Sequence, residues 1–176
     1  MFELGKVVIE MTIPIERNYT TILVGVDESK TASLAVDRAI HMAKIDGAEL
    51  IIATLINSHE MMGISRSATF GFGGVTPDMI EDMEDDLRSI VEKYAQRAKD
   101  QDVKVTTIVD FGDPRAELAE KIPAKYGVDL IVVGATGVNL VNRLMLGSTA
   151  DYVSRNAKCD VYIVHHPRDA KGKPIK

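Results

Sequence analysis

A single cysteine, Cys159, stands in 176 residues, which excludes an intramolecular disulfide and a cysteine-based zinc cluster and points to a reducing compartment. No apolar run approaches membrane-spanning length, and the one within residues 1–11 is broken by Glu10, too early for the apolar core of a signal peptide. Together these absences predict a cytoplasmic protein with no membrane partner, and they leave the sequon Asn18-Tyr-Thr20 without meaning. Positive charge is also short: the net charge is -5 and the pI near 5.4. Nucleic acid is therefore excluded as the main partner, because its phosphate backbone requires a clustered positive field. A single nucleotide is not excluded, since a local nest of backbone amides can hold it. Neither Gly-x4-Gly-Lys-Ser/Thr nor Gly-x-Gly-x-x-Gly occurs, and His59-Glu60 runs into Met-Met-Gly without the second histidine of a zinc protease.

What is present is an alternation. Apolar runs typical of buried strands alternate with stretches of helical periodicity, the pattern of a parallel sheet covered on both faces. Strands are expected at 20–26, 49–56, 103–110, 129–133 and 161–165. Helices are expected at 30–46, capped by Ser29 and stopped by Asp46-Gly47, and from Thr76-Pro77 with a stripe of Ile80, Met83, Leu87, Ile90, Val91, Tyr94 and Ala98. Two more follow, from Asp113-Pro114 to Gly127 and over 148–157. With 45% hydrophobic residues, one domain is expected, a doubly wound, five-stranded parallel α/β sheet with helices on both faces. In such a sheet a ligand belongs beyond the carboxyl ends of the strands, at the topological switch point.

Two segments at strand carboxyl ends carry chemistry. The first is Val24-Gly-Val26-Asp27-Glu-Ser29, a strand ending in a carboxylate with a helix behind it. The second is Val133-Gly134-Ala-Thr-Gly137, followed after nine residues by Gly147-Ser148-Thr149 at a helix start. Glycines permit positive φ and close approach to a ligand, while free amides at a helix N-terminus face an anion with the positive end of the helix dipole. Taken alone, the glycines could equally be a plain strand end and helix cap.

Together the two segments resemble the universal stress protein family. In its ATP-binding branch the first strand ends in Asp, and Gly-x2-Gly-x9-Gly-Ser/Thr lies between the fourth strand and the last helix; Asp27, Gly134, Gly137, Gly147 and Ser148 fill those positions. The resemblance covers residues 19–166 and implies a Rossmann-like fold similar to the adenine nucleotide alpha hydrolases. It departs at Gly25, where many members have Pro, at Thr136, where a basic residue or His is common, and at Asp160, where Pro usually follows the Cys. The implied site has Gly137, Gly147, Ser148 and Thr149 at the phosphates, Asp27 accepting from ribose or adenine, and Val26, Leu55 and Val133 at the base. The implied ligand is ATP with Mg2+ or Mn2+, and the implied role is a nucleotide-dependent sensor or switch in the stress response. Rival readings are a slow ATPase or adenylate-transferring enzyme, against which no general base is visible and only Arg143 is cationic within the motif, and a structural dimer that binds no nucleotide.

The domain is drawn over 19–168, with 1–18 as an N-terminal extension or extra strand, 57–75 as a Gly- and Ser-rich loop insertion, a mobile lid or the seat of a protein partner, and 169–176 as a frayed tail. His165-His166 read as ordinary strand-end histidines, Cys159 as a small half-buried side chain, and the acidic residues 81–86 as a complement to the helix dipole. The last strand should be an uncharged apolar sheet edge that pairs with its twin in a homodimer, the family's usual assembly, and Pro at Tyr162 should remove one ladder donor.

Overall fold

The structure, a computed structural model, describes residues 18–57, 76–137 and 146–166. The expected N-terminal extension up to residue 17, the loop from residue 58 to 75, Arg143 and the tail lie outside the described residues.

Five parallel strands form one sheet: β1 Thr21–Gly25, β2 Glu49–Asn57, β3 Val105–Gly112, β4 Leu130–Gly134 and β5 Asp160–Val164, in the order β3-β2-β1-β4-β5. The order reverses between β1 and β4, whose residues pair from Ile22 with Leu130 to Gly25 with Val133. Alternate residues on the central strands face opposite cores. Ile22, Val24, Ile52, Leu130 and Val132 pack under α1 (Lys30–Asp46) and α2 (Pro77–Lys99). Leu23, Ile51, Ala53, Ile131 and Val133 pack under α3, which begins at Pro114, and α4 (Ser148–Asn156). A side chain of this size stabilises by about 1.5–3 kcal/mol when fully buried, so these central strands carry most of the core. No helix among the described residues is long and apolar enough to cross a membrane.

Local chemistry sets the helix limits. Ser29 caps α1 by accepting from the Ala32 N–H, and the chain leaves through Gly47 in the left-handed region at φ 68°. Thr76 and Asp113 cap α2 and α3 in the same way, accepting from Met79 and Arg115 amides. The helix expected from Asp113 to Gly127 is interrupted: Pro114–Ala116 is α-helical, Glu117–Lys121 is π-helical, and Ile122–Tyr126 returns to α. Pro123 explains the wider turn, because it has no N–H to offer Ala119 and its ring would crowd that carbonyl in a regular α-turn.

The structure corrects several details of the sequence reading. Strand β3 begins at Val105, not 103, because the Val103 N–H instead closes α2 on the Ala98 carbonyl. Of the stripe assigned to α2, Val91 and Ala98 in its second half are buried, whereas Met83 in its first half is 41% exposed. Strand β5 starts at Asp160, so the sheet edge is not uncharged. Finally, the Asp160 N–H donates to Asp129 O, and Val164 O accepts from Ala135 N, so backbone groups at 160, 162 and 164 face β4. Tyr162 therefore carries a donor of the internal ladder, and Pro there would damage the subunit before any dimer; Val161 and Ile163 turn their backbone groups to the open edge.

Asp129 ties the start of β4 to that of β1. Its carboxylate accepts from Thr20 N–H at 2.8 Å, Thr20 Oγ1 at 2.8 Å and Thr21 N–H at 3.1 Å. Asp129→Ala should destabilise the fold by about 1–3 kcal/mol through the unpaired donors, lowering the melting temperature by several degrees in a thermal scan; an unchanged melting temperature contradicts this role.

Candidate functional site

At the carboxyl ends of β1 and β4 the sheet opens into a cavity of about 670 Å³, within the size range of pockets that bury a small organic ligand. Its lining includes Val26, Asp27, Leu55, Val133, Gly134, Gly137, Gly147, Ser148 and Thr149, so the nine residues singled out in the sequence converge on one space.

The loop after β1 is held from both sides. Val26 N–H donates to Ala53 O of β2 at 2.9 Å, and Asp27 Oδ1 accepts from the Ser29 N–H at 3.0 Å. The other carboxylate oxygen, Oδ2, faces Gly137: a Cβ at that glycine would sit 2.9 Å from it. Close approach, not backbone twist, is what the motif glycines supply. Among the described glycines only Gly47 and Gly127 have positive φ, and Gly147 caps α4 at φ -65°. A Cβ at Gly134 would lie 3.0 Å from the backbone carbon, Cβ and Oγ1 of Thr31, tighter than a dense interior tolerates.

The loop after β4 is stitched to three elements. Ala135 N–H donates to Val164 O at 2.8 Å, Ala135 O accepts from Gly147 N–H at 2.8 Å, and Thr136 O accepts from the Thr31 hydroxyl. Ser29 Oγ lies 3.1 Å from Thr31 Oγ1 and 3.4 Å from Thr136 O, completing a hydroxyl cluster. Helix α4 has no side-chain cap, and its first internal bond runs from Asp151 N–H to Gly147 O at 2.8 Å. The amides of its first turn thus stand at the cavity wall with the positive end of the helix dipole behind them.

Two sets of residues were not anticipated, one buried behind the cavity lining and one within it. Thr31, 3% exposed, anchors the glycine loop; the available signal was a polar residue on the otherwise apolar stripe of Ala35, Ala39 and Ala43, where a buried hydroxyl must be paired. The others, Met83, Leu87, Asp113, Pro114, Arg115 and Leu118, reach the cavity from α2 and α3. Arg115 is the cation among the described lining residues, against Asp27, Glu28 and Asp113. It donates from Nε to Asp113 Oδ1 at 2.9 Å and from Nη2 to Oδ2 at 2.8 Å, bonds that raise its pKa. Gly25, one of the departures from the family pattern, sits where a Cβ would be 2.6 Å from Leu118 Cδ1, so α3 packs directly on the end of β1.

Residues set apart from the site remain outside it. His165 and His166 follow β5, and no group of three or more His, Cys, Asp or Glu among the described residues is placed to hold a metal ion. Burial pushes the Cys159 thiol pKa up, and Asp129 and Asp160 push it further, disfavouring the nucleophilic thiolate.

Thr31→Val keeps the shape but removes the hydroxyl, leaving the Thr136 carbonyl only the longer 3.4 Å bond from Ser29 Oγ. A loss of about 1–3 kcal/mol in denaturant unfolding is expected, with Thr31→Ser close to the parent. Equal stability of Thr31→Val and the parent contradicts the anchoring role.

The Universal stress protein family model matches residues 18–165. A Staphylococcus haemolyticus protein assigned to the universal stress proteins is 32% identical over 146 residues, covering 83% of this chain and 84% of that one. Among solved structures, the protein MJ0577 superposes with a TM-score of 0.72 at 22% identity, over 86% of this chain and 99% of that one, a likeness of fold. A universal stress protein solved in complex with cAMP superposes with a TM-score of 0.62 at 28% identity, over 84% of this chain and 98% of that one. With its parallel sheet, its switch-point cavity and these matches along most of its length, the chain belongs to the universal stress protein family.

Proposed function

We propose that this protein is a nucleotide-binding regulatory module that holds ATP, with Mg2+ or Mn2+ on the phosphates, and acts as a sensor or switch in the stress response. The observation that carries the reading is the convergence of Asp27, the glycine loop and the first turn of α4 on one cavity at the switch point. Asp27 is ill suited to phosphate, since like charges repel, but its carboxylate can accept from ribose hydroxyls or the adenine amino group. Val26, Leu55 and Val133 offer apolar contact for the base, and the amides of Ser148 and Thr149 suit the phosphates. The divalent ion would keep mainly phosphate and water ligands, as Mg2+ does with nucleotides. The relative solved with cAMP lends support to an adenine nucleotide as the ligand class. An intracellular nucleotide as ligand also fits the cytoplasmic assignment drawn from the sequence.

Retention fits the lining better than turnover. Phosphoryl transfer needs a positioned nucleophile besides neutralised phosphate charge, and the glycine motif carries no visible general base. In calorimetric titration the parent should bind ATP, and Gly137→Val, which drives a branched side chain onto Asp27 Oδ2, should lose about a hundredfold in affinity or more while keeping its circular dichroism spectrum. Equal affinity of the two proteins overturns the cradle assignment.

The same reading includes a homodimer through β5. Among the described residues this strand ends the sheet, its outward backbone groups belong to Val161 and Ile163, and Tyr162 is 42% exposed. A two-fold axis near the middle of the strand sets Tyr162 against its twin. Tyr162→Glu would then oppose two like charges across the pair. The parent is expected to scatter light as a dimer at micromolar concentration and the variant to shift toward monomer; a monomeric parent overturns the assembly.

A further inference from the structure

Arg115 lies outside the glycine motif, yet it lines the same cavity as the first turn of α4. Its guanidinium carbon is 6.0 Å from the centroid of the Tyr152 ring, and Tyr152 is four residues along α4 from Ser148, one turn or about 6 Å up the same face. Tyr152 is in turn oriented by donating its hydroxyl to Glu120 Oε1 at 2.9 Å. The β3-to-β4 crossover is what brings Arg115 here: α3 starts beyond β3 and runs back toward β4, so its first turn packs on α4.

Resting on the nucleotide reading, we infer that Arg115 determines phosphate-chain length, by leaving Asp113 to pair with the outer phosphates of a di- or triphosphate. The Arg115–Asp113 pair is solvent-exposed on the arginine side, and such pairs contribute little. A polyphosphate offers more negative charge and the same bidentate geometry that the guanidinium fork prefers. Monophosphates and cyclic monophosphates end before this point, so Arg115 adds nothing to their binding. Asp113 becomes the competitor: it holds the fork when no long phosphate chain is present and yields it when one arrives.

The two partners therefore have opposite expected effects. In calorimetric titration of the full chain with ATP, ADP and AMP, Arg115→Gln should weaken ATP about ten- to hundredfold and leave AMP within about twofold of the parent. Asp113→Asn keeps a good helix cap but removes the competing charge, and should tighten ATP without changing AMP. Arg115→Lys, which keeps charge without the fork, should fall between parent and Arg115→Gln. Weakening of ATP and AMP by the same factor, or unchanged ATP binding in Arg115→Gln, overturns the inference while leaving the nucleotide reading intact. A parent that binds none of the three nucleotides overturns that reading, and this inference with it.

Discussion

How closely the end of β4 passes the first turn of α1 governs the rest of the site. With a bare glycine at 134, the space a Cβ would fill is already within 3.0 Å of three Thr31 atoms. A side chain there would push α1 off the sheet, and the Asp27–Ser29 turn that leads into α1 would move with it. The same closeness lets the Thr31 hydroxyl reach the Thr136 carbonyl and fix the loop that carries Gly137. Asp27 and Gly137 are then held face to face, at the only place in the sheet where neighbouring strands leave in opposite directions. One absent side chain thus sets the spacing of the cavity's two principal loops.

The parts legible in the sequence were those fixed by local chemistry or strict pattern. Buried strands announced themselves as apolar runs, and Ser29, Gly47, Thr76 and Asp113 marked helix limits through capping rules that act within a few residues. The cavity residues of the two motif segments were legible because strand order places their loops together once the fold class is known, and Leu55 and Val133 came from the family resemblance. What escaped was decided by distant partners. Nothing near Thr31 in the chain says that a carbonyl 105 residues away will need its hydroxyl. Arg115 escaped because β3 lies two strands from β1, and the returning crossover is what carries α3 to the cavity. The apolar periodicity of α2 continues past the sheet, which is why Met83 reads as core by spacing but stands at the cavity rim.

That misreading has a physical meaning. An apolar side chain kept at a cavity rim gives up the burial that its helical position promised, so the first half of α2 contributes little to the main core while Val91, Ala95 and Ala98 anchor the second half. Met83 and Leu87 instead join Leu55, Ile56 and Leu118 as the apolar part of the cavity lining. Gly137, Gly147 and the first turn of α4 add backbone amide and hydroxyl to it.

The cavity lining therefore combines apolar surface, a carboxylate and a set of helix-start amides. Inorganic anions could use the amide end but would leave the apolar wall wet, and a purely apolar ligand would strand the α4 amides and the Asp27 carboxylate without partners, a cost of the order of a lost hydrogen bond for each. Only a molecule with a flat apolar portion, hydrogen-bond donors near its middle and negative charge at one end meets all three parts at once. The excess of carboxylates in the lining sharpens that demand: Asp27, Glu28 and Asp113 outnumber Arg115, so anionic groups are tolerated only where the helix dipole and the guanidinium act together. On the proposed nucleotide reading, charge placement would set the ligand's anionic end toward α4 and its donors toward Asp27.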